Sequence, residues 1–420
     1  MKMITRILAS LLCTFGYAQA ASGCTALYGV NSSNPGSLMW VSLLDGGTHT
    51  VATLSAAGTL NGLALHPVTG DLWFTRGTTL QQYDTETRTL TAVMTITLPT
   101  NSGNRTATTV VGASFNNSGT NPMLFLLFDN YVIYQINPTT KTVVSRFQIS
   151  LSGTTARVGT SLYAVTPSTT TSGDIVFDGA TLYAVTDAQY TGGGGPIYAN
   201  YGSSFTNGST ITGTGGVAIR TPDRTGFKIN GIAQDPINHK IYVTLTDAAE
   251  SLWTMDPSTG LITSLNNRGI TPGFSDLSDC QIAPDAPVVS KSFSPSVIRT
   301  GQISKLTINV SNNNPSSIYL QKNLVDTLPA GMVIASPPNA STDCKVSNGL
   351  SNASVVAVAG GTTVTLNTET RIPASGCSVN VNVTVPNQSE LTNVINAGQL
   401  NTTGGDNAQN ATATLKVQGP

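Results

Sequence analysis

The sequence predicts an all-β exported protein with two domains, a β-propeller followed by a β-sandwich. Three observations predict this: a polar but weakly charged composition, a strand–turn–strand repeat, and period-two alternation in the last third. Only 10% of the 420 residues are charged and 41 are Gly, whereas about 25% are charged in a typical soluble domain. The abundant Thr favours strands, and Gly, Asn and Ser favour turns. This composition is typical of extracellular all-β proteins rather than cytosolic α/β enzymes.

Residues 1–20 have the features of a secretory signal peptide. Lys2 and Arg6 precede an apolar run from Ile7 to Tyr17, and Ala18-Gln19-Ala20 provides a small-residue cleavage site. The apolar run is shorter than the roughly 20 residues that span a bilayer, and no second run of that length follows. We therefore expect export to the extracellular space, the outer cell surface or the periplasm, with no transmembrane segment in the mature chain.

The cysteine count agrees with export. Cys13 lies in the leader, which leaves Cys24, Cys280, Cys344 and Cys377. An even number in an exported chain suggests two disulfides, for which three connectivities exist. A competing interpretation concerns the stretch from Ala21 to Cys24, which resembles a lipoprotein processing site and would leave Cys24 acylated instead of bridged.

A repeat covers residues 24–283. Leu60–Thr75 aligns without gaps with Ile229–Thr244, and both segments read as a strand, a Pro-containing turn and a strand. A second hairpin with an Asp or Asn at its turn follows each segment, a position that β-turns favour. The turn residues are Asp84 and Asp256, and a third copy of this hairpin has Asn137.

An aliphatic–aromatic pair marks the second strand of each repeat unit. Successive pairs are 45 to 59 residues apart, and about 45 residues suffice for a four-stranded propeller blade. We predict a propeller of five blades over 24–283, with a sixth left open because Leu162–Val165 nearly copies Leu182–Val185. The five pairs are Leu27-Tyr28, Leu72-Trp73, Leu124-Phe125, Leu182-Tyr183 and Ile241-Tyr242.

Closure of the propeller predicts the first disulfide. The chain reaches Cys24 just before a second-strand motif, so the missing first strand of that blade should come from Phe274–Ile282. Cys280 lies in that segment, which predicts a Cys24–Cys280 bridge. In the chain-entropy model, closing so long a loop contributes about 4–5 kcal/mol.

The second domain follows a Pro-containing linker at 284–289 and extends over 290–420. Polar and apolar residues alternate over Lys305–Val310, Ser378–Val385 and Ala411–Val417. Such alternation between turn signals indicates a sandwich in which each strand buries one face.

Several motifs in this domain occur in the order of a known family. They are Lys291–Pro295, the strand from Lys305, Asp326–Met332, Ser336–Ala340, Cys344 and Cys377. Together they resemble the immunoglobulin-like repeat of bacterial surface proteins, known as domain of unknown function eleven and its relatives. The resemblance implies an Ig-like β-sandwich, an exported surface protein and a Cys344–Cys377 bridge. The family commonly occurs in tandem before an anchor, whereas here we find one copy without a sorting signal; residues 24–283 resemble, less specifically, the propeller-like regions that precede such repeats.

The sequence offers no motif for nucleophilic or metal chemistry, and we predict no catalytic residue, metal or cofactor. The three His residues, His49, His66 and His239, are dispersed, and no Gly-x-Ser-x-Gly elbow occurs. Carboxylates around a propeller channel would provide the catalytic groups of a hydrolase or lyase. The candidates are Asp71, Asp129, Asp174, Asp178, Asp187 and Asp235.

Two sets of residues are candidates for recognition. Asn61 and Asn230 occupy the same position in two repeats, where they either face the channel or form hydrogen bonds between blades. Tyr190, Tyr198 and Tyr201 flank a Gly-rich insertion and would form an exposed contact patch.

Three functional hypotheses follow. The leading one is a non-enzymatic surface protein whose propeller binds a glycan, matrix or another surface protein, with the second domain as a spacer or interaction module. The second is a secreted propeller hydrolase or lyase, which needs two carboxylates in one open pocket. The third is a structural envelope or matrix component that self-associates. Nucleic acid is excluded as a partner because 20 basic residues against 21 acidic ones provide no basic field.

Overall fold

The computed structural model describes residues 24–419 except 25, 32–35, 44–46, 55–57, 117–120, 191–192, 222–225, 246–251, 266–273, 280–284, 315, 369 and 388. The predicted signal peptide lies outside these residues. The described residues form 39 strands and no helix, so the all-β prediction is confirmed for them.

The first 23 strands form five sheets, in which strands that follow each other in the chain pair antiparallel and only the β11–β17 and β12–β18 pairings are parallel. The strands are β1 (Ala26–Asn31), β2 (Gly36–Ser42), β3 (Thr48–Leu54), β4 (Leu60–Leu65), β5 (Leu72–Arg76), β6 (Thr79–Tyr83), β7 (Leu90–Thr95), β8 (Val110–Phe115), β9 (Leu124–Phe128), β10 (Val132–Asn137), β11 (Thr142–Ser150), β12 (Thr155–Val158), β13 (Ser161–Pro167), β14 (Ile175–Asp178), β15 (Thr181–Tyr190), β16 (Gly193–Asn200), β17 (Thr210–Thr212), β18 (Thr214–Ala218), β19 (Ile229–Gln234), β20 (Ile241–Leu245), β21 (Trp253–Met255), β22 (Ile262–Ser264) and β23 (Asp276–Ser278).

The sheets follow the chain. Their orders are β23-β1-β2-β3, β4-β5-β6-β7, β8-β9-β10-β11-β17, a six-stranded sheet that begins with β14-β15-β16, and β19-β20-β21-β22. Each predicted aliphatic–aromatic pair lies on the second strand of its sheet, on β1, β5, β9, β15 and β20.

The first strands of the five sheets contact one another in a closed cycle. β23 contacts β4, β4 contacts β8, β8 contacts β14, β14 contacts β19, and β19 contacts β23. We call these the inner strands. The predicted return of the chain is confirmed, because β23 pairs antiparallel with β1 and places Leu277 opposite Gly29. Residues about 250 positions apart in the sequence therefore share one sheet.

The fourth sheet contains a closed barrel. β12 pairs with β13 and β18, β18 with β16, β16 with β15, and β15 with β13. Leu162–Val165, which left a sixth blade open, lies on β13 of this barrel. The repeated motif therefore marks an extension of the fourth sheet rather than a sixth sheet in the described residues.

The remaining strands form shorter sheets around one apolar core. Strand β24 begins at Val288, so the last two residues of the predicted linker belong to a strand. The strands are β24 (Val288–Ser294), β25 (Val297–Arg299), β26 (Ile303–Ser311), β27 (Ile318–Tyr319), β28 (Leu324–Thr327), β29 (Val333–Ile334), β30 (Ser341–Thr342), β31 (Lys345–Val346), β32 (Val355–Val356), β33 (Thr363–Leu366), β34 (Thr370–Ile372), β35 (Cys377–Thr384), β36 (Ser389–Ile395), β37 (Asn401–Thr402), β38 (Gly405–Asp406) and β39 (Ala411–Gln418).

The largest sheet of this part has the order β24-β26-β35-β29. Buried residues alternate with exposed ones in β24 and with half-buried ones in β35, with the period of two that the sequence predicts. The Cys344–Cys377 disulfide is confirmed, with an S–S distance of 2.08 Å. It anchors the loop after β30 to the start of β35 within the core.

Candidate functional site

The centre of the inner-strand cycle is occupied by two carboxyl groups. Each inner strand has a Gly or an Asp near its start, and an apolar residue follows it. The ladder is irregular beside this position in β4, β8 and β19, and such bulges leave backbone groups unpaired. The five residues are Gly62, Gly112, Asp174, Gly231 and Asp276.

The backbone N–H that follows each of these residues donates to one of the two carboxyls. Asp174 accepts from Ala113 (3.1 Å) and Ile175 (2.7 Å) at Oδ1 and from Ile232 (2.8 Å) at Oδ2. Asp276 accepts from Leu63 (2.7 Å) and from Leu277 (2.8 Å). Two carboxyls thus satisfy donors from all five inner strands, and we call them the central carboxyl pair.

Glycine at the other three positions permits close packing at the centre. A Cβ on Gly112 would lie 2.0 Å from Oδ1 of Asp174, and a Cβ on Gly231 would lie 2.5 Å from the backbone nitrogen of Leu277. Gly62 also has a φ of +62°, which favours glycine. The Asp174 carboxyl therefore fits beside β8 only because residue 112 has no side chain, and Gly231 allows β19 to approach the backbone of β23.

Both carboxyls are fully buried and are hydrogen-bonded to each other. Burial raises the pKa of Asp276 to about 8, although its hydrogen bonds lower it. Burial and the adjacent Asp276 raise the pKa of Asp174 well above its usual value. Two like charges this close disfavour double ionisation, so the pair retains a proton at neutral pH.

This geometry is poor for substrate chemistry or cation binding. The pair has no exposure, and backbone N–H groups already occupy its oxygens. The hydrolase alternative requires carboxylates in an open pocket, which Asp174 and Asp276 do not offer. No cluster of His, Cys, Asp or Glu suited to a metal occurs among the described residues.

Asp279 is a third carboxyl near the centre and is half-buried. It accepts a hydrogen bond from the Gln234 N–H and one from the Ser114 side chain. Burial raises its pKa to about 7 against these hydrogen bonds. It therefore connects β23 with β19 and β8.

Sequence reasoning missed Asp276 and Asp279. Aligning Phe274–Leu277 with the inner-strand segments Leu60–Leu63 and Ile229–Ile232 would have found Asp276, because Asp replaces the Gly of the motif.

Asn61 and Asn230 join neighbouring inner strands. Asn61 Nδ2 donates to the Val110 carbonyl at 3.1 Å, and Asn230 Nδ2 donates to the Phe274 carbonyl at 3.3 Å. Both side chains are half-buried. The sequence left two roles open for these Asn residues, facing the channel or bonding between blades. The structure shows hydrogen bonds between neighbouring sheets.

The other predicted carboxylates serve turns and loops at separate places. Asp235 accepts a turn N–H group through its carboxylate. In the equivalent turn of the other repeat, His66 accepts turn N–H groups at Nδ1. The partners are Gln82 for Asp71, Thr108 and Arg105 for Asp129, His239 for Asp178 and Ser172 for Asp187.

The predicted tyrosine patch is wrong for two of its three residues. Tyr198 and Tyr201 are only 6% and 3% exposed. Tyr198 stacks on Tyr183 at 5.2 Å, and Tyr201 belongs to an apolar core cluster. Tyr190, which is half-buried, is the only member with appreciable exposure, because the insertion folds into the closed barrel rather than an exposed loop.

Cys24 takes part in a disulfide. Cys280 lies outside the described residues, so the predicted Cys24–Cys280 pair stays a prediction.

The two parts of the chain dock through a buried polar contact. The Arg371 side chain is 2% exposed, and Nη1 donates to Ser317 Oγ (2.9 Å) and to the Thr85 carbonyl (3.3 Å). The same atom lies 3.8 Å from a carboxylate oxygen of Glu86. A guanidinium suits this role because its planar fork serves several acceptors at once.

Apolar packing reinforces the docking. Tyr319 is fully buried, and its ring lies 5.7 Å from that of Trp40. Gly70 allows close approach, since a Cβ there would lie 2.2 Å from Cβ of Ser316. The second part is therefore packed firmly against the first.

A polar cleft opens at this junction. Its volume is about 620 Å³, and Asn348 of the second part closes it against β3, β6 and β7. Its one charged side chain, Arg88, is engaged by the carbonyls of Val51 and Ser347. The lining residues, which define the junction cleft, are Thr50, Ala52, Thr53, Leu54, Tyr83, Arg88, Leu90 and Asn348.

Residues 287–417 match a family model. The family is described as Domain of unknown function (DUF7933). No curated protein matches the chain.

Several solved structures are similar at low level. A chain of the mitotic checkpoint complex has 8% identity and a TM-score of 0.30, with 60% of each chain covered. Glutaminyl cyclase of Myxococcus xanthus has 14% identity and a TM-score of 0.31, covering 52% of this chain and 80% of that one. A cohesin module of a Clostridium perfringens ATCC13124 family 33 glycoside hydrolase has 12% identity and a TM-score of 0.23, covering 32% and 98%. TM-scores this low support no functional argument.

Within the described residues, no helix has the length and apolar character needed to cross a membrane.

Proposed function

We propose that the chain is a non-enzymatic exported surface protein that binds a neutral glycan in the junction cleft. In this proposal residues 24–283 are a five-bladed β-propeller and residues 288–419 an Ig-like β-sandwich. The closed cycle of inner strands supports the propeller, because a cycle of five sheets leaves only short edges. The signal peptide and the family resemblance support export to a surface.

The residues that line the junction cleft are the observation that supports a glycan as the ligand. Hydroxyl and amide groups of Thr50, Thr53 and Asn348 adjoin the apolar side chains of Leu54 and Leu90. A lining made mainly of hydrogen-bonding groups, with a few apolar side chains among them, suits a small molecule that is itself rich in hydroxyls. A sugar offers hydroxyls to the polar groups and a C–H face to Leu90, which is 39% exposed.

Charge argues for a neutral ligand. The Arg88 guanidinium donates to two backbone carbonyls, which hold it against the cleft wall, and among the described residues no second charged side chain lines the cleft to select a charged ligand. The firm docking through Arg371 and Tyr319 holds the cleft walls in place before binding. A rigid site reduces the entropy lost on association.

The test is a glycan array and a whole-cell binding assay with the disulfide-intact full chain. Asn348→Trp fills the cleft and should abolish binding, whereas Asn387→Trp in an exposed turn should leave it unchanged. Equal binding by both variants would refute the cleft as the site. Absence of binding together with concentration-dependent self-association would instead favour a structural envelope role.

A further inference from the structure

Three polar side chains meet inside the apolar core of residues 288–419. Lys291, Asp326 and Asn393 occupy inward positions on β24, β28 and β36. The side chains of Lys291 and Asp326 are 0% and 1% exposed, and Asn393 is 1% exposed. In β24 the lysine stands between the buried Val289 and Phe293, where the alternation would otherwise place an apolar residue.

One carboxyl group holds the other two side chains together. Lys291 Nζ lies 2.7 Å from Oδ2 of Asp326, and Asn393 Nδ2 donates to Oδ1 of Asp326 at 3.0 Å. Asn393 Nδ2 also donates to the Thr327 carbonyl at 3.0 Å, which orients the carboxamide. The amine and the carboxamide are therefore adjacent through the two oxygens of Asp326.

The arrangement is incompletely satisfied as an ion pair. Lys291 Nζ has three protons to donate, yet among the described residues Asp326 is its only ion-pair partner and it makes no regular hydrogen bond. Within the described part of the chain, the Oδ1 atom of Asn393 is buried without a hydrogen-bond partner. A buried ion pair is stabilising only when further hydrogen bonds satisfy its remaining donors and acceptors.

We propose that Lys291 and Asn393 form an intramolecular amide bond, with Asp326 as the proton relay. Nζ of Lys291 attacks Cγ of Asn393, and the bond from Cγ to Nδ2 breaks. The ammonium loses two protons to Asp326: one passes to Nδ2, which leaves as ammonia, and the other remains on the Asp326 carboxyl. No oxidant or cofactor is needed, and the charged pair is replaced by a neutral amide and a neutral acid.

The surroundings favour the required protonation states. Burial lowers the pKa of Lys291, although the Asp326 charge opposes this. The neutral amine is the nucleophilic form, and desolvation is a recognised way of activating a lysine. The bond would connect β24, the first strand of this part, to β36 near its end, so that tension between the ends bypasses the strands between them.

Mass spectrometry of the reduced full chain tests the proposal. We expect the intact mass to fall short of the sequence mass by one ammonia. Trypsin should fail to cleave after Lys291 and should yield residues 269–299 joined to residues 372–416. Recovery of separate peptides cut at Lys291 would overturn the proposal. A loss of one water, with the link on Asp326, would overturn it equally.

Variants test the relay. Asp326→Asn should restore the full sequence mass, because the amide cannot accept the proton. Lys305→Met removes an exposed lysine of the next strand and should keep the ammonia loss. If Asp326→Asn retains the cross-link, the relay is wrong. If that variant fails to fold, the peptide map of the unaltered chain still decides whether the bond forms.

Discussion

Ionising the central carboxyl pair should destabilise the protein as pH rises. The pKa of Asp276 is about 8 in the folded chain, against 3.8 for an unperturbed Asp. For a carboxyl whose pKa is raised by folding, the stabilisation is fully present at pH values below the pKa of the unfolded chain. It is lost as pH rises from there through the pKa of the folded chain. At about 1.4 kcal/mol per pKa unit, the free energy of unfolding should fall by about 5 kcal/mol between pH 4 and pH 8.

Urea unfolding at constant ionic strength measures this fall. The buried Trp40, Trp73 and Trp253 report it through their fluorescence. Asp276→Asn removes one of the two ionisable central carboxyls and should show a smaller fall, which retains the contributions of Asp174, whose pKa burial also raises, and of Asp279, whose pKa is about 7. The variant should also be less stable at pH 5 by about 1–3 kcal/mol, because its amide nitrogen leaves one backbone N–H without an acceptor.

Asp84→Asn is the matched control. Asp84 Oδ1 accepts two turn N–H groups, and Asn137 does the same in the equivalent turn of the third sheet. This variant should keep the full pH dependence. A stability that is flat or rises from pH 5 to pH 8 would refute the reasoning, as would a parallel fall in Asp276→Asn.

Two further predictions concern stability. Gly112→Ala should lower the free energy of unfolding by about 3 kcal/mol or more, since its Cβ would meet the Asp174 carboxyl. The control Gly195→Ala has open space around its Cβ and should change stability by less than about 0.5 kcal/mol. Equal urea midpoints for the two variants would contradict this prediction. Cys344→Ala removes the disulfide to Cys377, which lies 33 residues away. In the chain-entropy model the free energy of unfolding should fall by about 4 kcal/mol. An unchanged melting temperature would show that the bridge is dispensable.

Local patterns predicted much of the fold. Alternation and turn residues placed strands such as β26 and β35, and the pair Leu72-Trp73 identified a second strand. These signals are local, because side-chain direction in a strand and backbone preference in a turn depend on near neighbours. The return of β23 to β1 was predictable from an unfinished repeat unit.

The tyrosine patch failed for a physical reason. Tyr198 and Tyr201 stand beside a Gly-rich stretch that predicts a flexible loop, but β15 and β16 pair through it. Glycine permits an exposed loop and an extended strand alike, so the sequence alone could not choose between them. Pairing of these strands buried both rings on different faces: Tyr201 packs in the core cluster of the barrel, whereas Tyr198 stacks on Tyr183 in a cluster shared with the fifth sheet.

By itself the sequence determined the strands, their turns, the repeat and the cysteines available for bridging, because each depends on residues close together in the chain. Only the tertiary structure decided which carboxyls meet and which side chains share the core. Asp174 and Asp276 are about a hundred residues apart, as are Lys291 and Asn393. Their chemistry comes from burial and mutual proximity, which exist only once the strands have assembled.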